Sequence, residues 1–470
     1  MTNGIPATWI WSTVGEAAEV TGGLTKNAAK RDTSTVRAPL VSVAAVQLRR
    51  IEKDAIGDVG VLDSDGDRAT LAKGDLLVVE GNGSLEHIGR VALWGDDAPG
   101  ARHQNHIIRV RPHRVSSRFL LEWLASPAGR NAIIEEATSG AGLYTLSLSK
   151  VARLPVPIPP PTEQARIVAK LTTIQTHSRR AREALDAVPP LLDKLRQSIL
   201  AAAFRGDLTK DWRAKHPDVE PARKVVERTV APAGRSSGRA ATTSVRQGIA
   251  AISVGDPGTT TPKRWTWVPL SRIARMESGH TPSREHREYW DGDIPWIGIR
   301  DARASHGSVI GSTEQTVTSL GLENSAARLL PARTVCFSRT ASVGYVTIMG
   351  RPMATSQDFA NWICSDAILP EYLMFALLAE GDHIRKFGEG STHTTIYFPE
   401  LKALHICLAP IPEQREIVIR VQRALSRVMR FQSDADSRLA SLAALERATL
   451  GRAFRGDLLT GPRSNNAIAE

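Results

Sequence analysis

The chain has 470 residues and a formal charge of +11, from 60 Lys and Arg against 49 Asp and Glu, which is length enough for two or three domains with cores of their own. It contains no apolar run long enough to span a bilayer and no basic-then-apolar leader, so nothing suggests membrane insertion or secretion and a cytoplasmic protein is expected. Cys336, Cys364 and Cys407 are scattered, odd in number and without C-x-x-C spacing, which points to a reduced cytosolic protein without a zinc site.

Residues 1–150 alternate short β-like runs with Gly- and Asp-rich turns. Strands are predicted at 39–47, 75–80 and 107–111, and helices at 117–125 and 128–137. Asp63-Ser64-Asp65-Gly66-Asp67 has Arg68 where a calcium loop of that pattern needs glycine, so a hairpin turn is the better reading.

From Pro155 to Leu208 the chain reads LPVPIPPPTEQARIVAKL, a long helical run, then AAAFRGDL. Residues 409–458 repeat this grammar: Glu163-Gln164 answers Glu413-Gln414, and 203–208 answers 453–458, all 250 positions apart. Proline opens each helix, where a missing N–H costs nothing. Glu163 and Glu413 stand near the positive end of the helix dipole. Gly206 and Gly456 follow the last apolar turn, as a left-handed cap requires. A heptad seam is predicted through Ile167, Leu171, Ile174, Leu185, Leu192 and Leu195, and through Ile417, Val421, Val428, Phe431, Leu442 and Leu445. About 43 helical residues make a rod of roughly 65 Å. Two such helices in one chain are expected to pair as an intramolecular antiparallel coiled coil, with a kink or short break at Pro189-Pro190.

Residues 213–261 lack aromatic residues and are rich in Pro, Ser, Thr and Gly, the composition of a flexible linker. Residues 262–408 then read as a second edition of 1–158. Pro6, Trp9 and Trp11 answer Pro262, Trp265 and Trp267, and Phe119-Leu120 answers Tyr372-Leu373. The predicted fold class is α+β: globule (1–158), long helix (159–212), linker, globule, long helix (409–460) and a short tail (461–470).

No catalytic engine is visible. The sequence lacks a P-loop, a G-x-G-x-x-G after a strand, an amino-methyltransferase motif and H-E-x-x-H, and Pro217-Asp218 is not followed by the remainder of a nuclease motif. The globules instead carry polar loops: Asn82 and Ser84, then Arg102, Gln104, Asn105 and His106 in the first, with Lys26 counted among them. In the second these are Thr281, Ser283 and Arg284, Arg300, Arg339, Thr340 and Ser342, and Gln357. Such side chains read base edges and hold phosphates, so double-stranded DNA is the expected partner. The basic balance agrees with that. A diverged DNA methyltransferase or nuclease, and a coiled-coil scaffold that never touches DNA, are the rival readings.

The duplicated Pro-rich-Glu-Gln openings, the Ala-Phe-Arg-Gly-Asp-Leu exits and the two long helices resemble the specificity subunit of type I restriction–modification enzymes. So does Gly279-x-Thr281-Pro282-Ser283 with Tyr289-Trp290 and Ile294-Pro295-Trp296-Ile297. The resemblance implies two target recognition domains, each reading half of a split DNA site, separated by the paired helices. It implies two docked methyltransferase subunits, and a restriction subunit that joins through the complex. It also implies that S-adenosylmethionine, ATP and magnesium belong to those partners and that this chain has no catalytic residue or cofactor.

Overall fold

Trp9 and Trp265, at matching points of the repeat, are both buried, and the strand that follows each closes its globule. In the computed structural model, Ile10–Thr13 runs antiparallel to Pro155–Ile158, and Thr266–Pro269 antiparallel to Leu404–Leu408. The structure describes residues 5–25, 34–62, 65, 67–95, 97–140, 142–230, 240–388 and 394–459. The chain divides into two units, Met1–Asp186 with Ala435–Glu470, and Ala187–Asp434. Each holds one globule and a share of the long helices, so the units cut through both helical stretches instead of following the globule, helix and linker boundaries expected from composition.

In the first unit, Leu76–Val79 is apolar throughout and buried on both faces, as a central strand must be. It lies between Ile107–Pro112 and Val91–Leu93, with Ala18–Gly22 on the far edge. Helix Ser117–Leu124 covers one face and sends Phe119, Leu120 and Leu121 into the core. Arg109 and Arg111 project from the strand onto carboxylates: Arg109 to Glu19 at 3.1 Å, Arg111 to the buried Asp75 at 2.7 and 2.8 Å. The predicted strand at 39–47 is shorter, Arg37–Val41, and gives way to a 3-10 turn at Val43–Ala45. Asp63, Ser64 and Gly66 of the predicted hairpin turn lie outside the described residues.

The second unit repeats the plan. Ala274–Ser278, Phe359–Cys364, Val335–Ser338 and Val346–Met349 form consecutive strands of its main sheet, covered by the apolar helix Pro370–Ala379. The stretch 213–261, expected to be a flexible linker, is in part ordered. Ala222–Arg228 is helical, and Ile252–Val254 joins the sheet beside Leu404–Leu408. The cause is Glu380, fully buried, whose carboxylate accepts backbone N–H groups from Ile249, Ala250, Ala251 and Ile252 at 2.7–3.1 Å. Residues 231–239 lie outside the described residues.

The Glu-Gln motif has a structural use in both units. Gln164 donates to the Pro159 carbonyl (2.9 Å) and accepts from Ser116 N (2.8 Å); Gln414 donates to Ala409 and Ala367 and accepts from Leu369 N (2.9 Å). Ser116 and Leu369 cap the covering helices, so one buried amide ties the start of each long helix to its globule. Glu413 is buried and accepts from the Trp265 indole (2.8 Å), Thr209 (2.7 Å) and Arg213, a use stronger than the dipole position alone suggested. In the first unit Trp9 Nε1 is buried without a hydrogen-bond partner among the described residues, and Glu163 is half-buried.

The first helical stretch runs Pro161–Asp186 and then Val188–Phe204, so the expected break falls at Ala187, with Pro189 and Pro190 in the new first turn. The second is continuous, Ile411–Phe454. Within the first unit Ile167 and Leu171 share a core with Leu450, Ala453 and Phe454. Within the second, Leu200, Ala203 and Phe204 share one with Ile417, Val418 and Val421. Start meets end in each case, so the pairing is antiparallel.

The residues of the predicted seam differ in burial. Ile167, Leu171, Leu192, Ile417, Val421 and Val428 are buried, and Ile174, Leu185 and Leu442 are half-buried. Leu195, Phe431 and Leu445 are exposed at 44%, 61% and 56%. Their places are taken one position later by the half-buried Arg196, Gln432 and Glu446. Glu446 accepts from Arg182 at 3.0 Å. Polar residues thus fill one inner row, and apolar spacing placed that row one residue early.

Gly206 and Gly456 have φ of +79° and +81°, the left-handed cap that their position demanded. A Cβ at either would strike Pro262 or Pro6.

Candidate nucleic-acid interface

Each globule brings two stretches of polar residues together over a glycine. In the second unit the chain leaves strand Ala274–Ser278 at Gly279, where a Cβ would lie 2.1 Å from the Ser356 carbonyl. His280 N donates to Thr355 O at 2.9 Å. In the first unit the equivalent glycine is Gly23, where a Cβ would lie 2.2 Å from the His103 carbonyl, and Leu24 N donates to His103 O at 2.8 Å. Only glycine permits this approach. It sets 279–284 against 355–358 and the residues around Leu24 against 102–106.

On the second unit the predicted residues converge. The Thr281 hydroxyl donates to Gln357 Oε1 at 2.5 Å, and Arg339 donates to the Gln357 carbonyl at 3.0 Å. Arg284 donates to Gln315 at 3.1 Å and lies 4.6 Å over the Trp290 ring. Trp290 donates to Ser283 O, and Trp296 to His280 O, both at 3.1 Å. Thr340 Oγ1 lies 2.8 Å from Thr395 Oγ1, and Ser342 N donates to Thr340 O. Arg300 is 88% exposed in its side chain, 3.8 Å from Glu314. Arg284, Ser283, Arg300 and Gln357 are exposed and therefore able to meet a partner. Arg339 is more buried, lies over the Phe398 ring at 4.6 Å and holds the loop in place.

On the first unit Gln104, Asn105 and His106 share one turn, pinned by Asn105 N to Leu24 O at 2.8 Å. His106 Nδ1 lies 3.1 Å from Glu80, which leads directly into Asn82 and Ser84. Asn82 Oδ1 accepts from Ser84 N at 2.9 Å, fixing that turn. Arg102 differs from expectation: its side chain is only 14% exposed and lies 4.0 Å from Asp67. Burial pushes the neighbouring His103 imidazole down to about 4, so it is neutral at pH 7, and its Nδ1 lies 3.0 Å from the Ile107 carbonyl, to which it donates. Lys26 lies outside the described residues. Sequence reasoning missed Gly23 and Gln315. The signal for Gly23 was its position 256 residues before Gly279, the same interval that separates Trp9 from Trp265.

Among the described residues no group of His, Cys, Asp and Glu is placed to hold a metal ion, and no helix is long and apolar enough to cross a membrane. Burial raises the Cys364 and Cys407 thiols to about 12 and Cys336 higher still, which keeps them protonated at pH 7.

Comparison with known proteins agrees with the repeat. The family model described as type I restriction modification DNA specificity domain matches residues 6–184 and 262–430. The MjaIX specificity subunit of Methanocaldococcus jannaschii is 33% identical over 153 residues, 32% of this chain and 34% of the relative. The EcoKI specificity subunit of Escherichia coli is 30% identical over 40% of this chain and 41% of its own length. The chain thus aligns with less than half the length of these relatives. A chain solved in a study of type I R-M complex assembly and conformational transition superposes with a TM-score of 0.71 at 18% identity, covering 97% of this chain and 99% of its own. The HsdS subunit from Thermoanaerobacter tengcongensis gives 0.58 at 19% identity, covering 97% and 98%.

Proposed function

This chain belongs to the family of type I restriction modification DNA specificity domains, and we propose that it is a specificity subunit reading a two-part double-stranded DNA target, one part with each globule. The observation that carries this reading is the matched pair of loop clusters over Gly23 and Gly279. The framework under them agrees in the two globules while the side chains offered differ. Gln104, Asn105 and His106 on one, and Ser283, Arg284, Arg300 and Gln357 on the other, supply the amide and guanidinium forks that discriminate base edges. Two readers of different words require that combination. The surrounding arginines supply the sequence-independent attraction to phosphate.

In this reading the chain is a cytoplasmic protein that contributes no catalytic group. The long helices gather two methyltransferase subunits, and a restriction subunit attaches through that complex. S-adenosylmethionine, ATP and magnesium are used on those partners. The test is duplex binding across a salt series, with the chain alone and with the methyltransferase subunit. Binding with a steep salt slope, made sequence-selective by the partner, is expected. Binding of S-adenosylmethionine to the isolated chain would point to the diverged methyltransferase, and absence of duplex binding in the assembled complex would point to a scaffold.

A further inference from the structure

The second globule holds one arginine on an aromatic platform. Arg284 Cζ lies 4.6 Å over the Trp290 ring and 5.9 Å over Trp296. The two rings meet edge-on at 5.3 Å. Each is locked by its indole N–H, which donates at 3.1 Å to a carbonyl of the loop leading to Arg284, that of Ser283 for Trp290 and of His280 for Trp296. Stacking leaves the guanidinium free to turn within its own plane. Gln315 removes that freedom, because its Oε1 accepts from Arg284 Nη2 at 3.1 Å. Gln315 is half-buried and pairs with Trp296 across neighbouring strands.

The repeat supplies a comparison within the chain. Leu40 and Val41 run parallel to Arg102 and His103 as Trp296 and Ile297 run parallel to Ala354 and Thr355. Leu40 thus stands where Trp296 stands. Gly57, opposite Leu40, stands where Gln315 stands opposite Trp296. No aromatic residue occurs in 24–46. The first globule keeps the strands beneath the platform and has neither the ring nor the amide. The shared framework therefore does not need them, and they serve what is particular to the second globule.

The chemistry of the held group narrows what it can meet. A guanidinium has five coplanar N–H donors and no acceptor. One goes to Gln315, and Arg284 is exposed, so further donors remain for a partner. Two coplanar donors match two adjacent acceptors, which in the major groove guanine offers at O6 and N7; adenine sets a donor beside its N7. Phosphate oxygens accept over a wide range of angles and gain less from a fixed plane. We propose that Arg284 reads a guanine in the half of the duplex target recognised by the second globule, and that Trp290 and Gln315 are positioning residues that fix its plane before DNA arrives. This rests on the reading above that each globule recognises one half of the target.

The experiment is selection from a duplex library randomised across the target, with the full chain assembled with the adenine methyltransferase subunit of a type I system, followed by sequencing. Exchange of residues 262–408 assigns the half that belongs to the second globule. In that half the wild-type complex selects guanine at one fixed position. Arg284→Lys keeps the charge without the fork. It lowers the guanine preference by about tenfold and changes affinity for unrelated duplex by less than about twofold. Gln315→Ala lowers the preference by about threefold at that position and at no other. Gln315→Glu, which still accepts from Arg284, retains it, as does Trp290→Phe, which still offers a ring face. A purely structural role would instead lower affinity without changing the preference at a single position. A second-globule half with no selected guanine overturns the proposal, and so does an Arg284→Lys complex that keeps the preference. Equal loss of affinity for every duplex assigns the arginine to phosphate and overturns it too. A complex that selects a split target but ignores these substitutions removes this assignment alone; one that selects no sequence removes the two-reader reading beneath it as well.

Discussion

Phe454 stands edge-on to Trp123, their rings 5.2 Å apart and inclined at 69°. Phe454 is the second residue of the second copy of the Ala-Phe-Arg-Gly-Asp-Leu motif, and Trp123 belongs to the helix covering the first globule. Within the other unit Phe204, from the first copy, meets Tyr372 in the same way at 5.1 Å. The exit of each long helix therefore completes the core of the globule that belongs to the other half of the repeat.

Phe454→Ala should destabilise the first unit by about 3–5 kcal/mol, the usual cost of an emptied aromatic site. Hydrogen exchange resolved by peptide is the measurement: protection should fall in 107–124 and remain in 335–377. Phe204→Ala should give the reverse pattern. Equal loosening in both units would contradict this division of the core.

Much of this architecture was legible in the sequence because it is local or repeated. The left-handed glycines at 206 and 456, the proline break and the register of the two copies all follow from short-range rules. What escaped reading depends on distant groups. No composition rule shows that Glu380 will order 249–252, more than a hundred residues upstream. The inner row of the helix pair was misplaced because Arg196, Gln432 and Glu446 occupy positions that a hydrophobic pattern assigns to Leu195, Phe431 and Leu445. Polar candidates could be named from type alone, but exposure separates Arg284 and Gln357 from Arg102 and Arg339.

Glu380→Gln should cost about 2–3 kcal/mol, because a carboxylate serving four N–H groups is replaced by a neutral amide with one acceptor oxygen. Limited proteolysis is the direct measurement, with new cleavage expected within 245–255. Unaltered protection there would mean the Ile252–Val254 strand holds without its clamp.

Gln357→Ala and Arg284→Ala should each weaken recognition of one half of the target by about 1–3 kcal/mol and leave the other half unaffected. Gln104→Ala with Asn105→Ala should do so for the opposite half. Arg339→Ala should lower stability of the second unit as well, since that side chain holds the 357 loop. Binding across a duplex library randomised at one half at a time distinguishes these outcomes. A uniform loss for all duplexes would assign the residue to phosphate instead.

His103 gives the first unit an acid-side weakness. Its folded value of about 4 lies below the ordinary 6.5. Between those values the unfolded chain takes up a proton that the folded chain refuses, so stability falls as pH drops from about 6.5 to about 4 and levels off below. The total is about 3 kcal/mol at 1.36 kcal/mol per unit. Urea unfolding of the first unit at a series of pH values should show this slope, and His103→Gln should remove it.

The central claim is that two independent readers lie in one chain. Its most direct measurement replaces residues 262–408 with the equivalent globule of a relative and maps methylated adenines in a genome expressing the hybrid with its methyltransferase partner. The account predicts a methylated site in which one half has changed and the other is retained. A folded, active hybrid that still methylates both original halves, or that changes both, would contradict it.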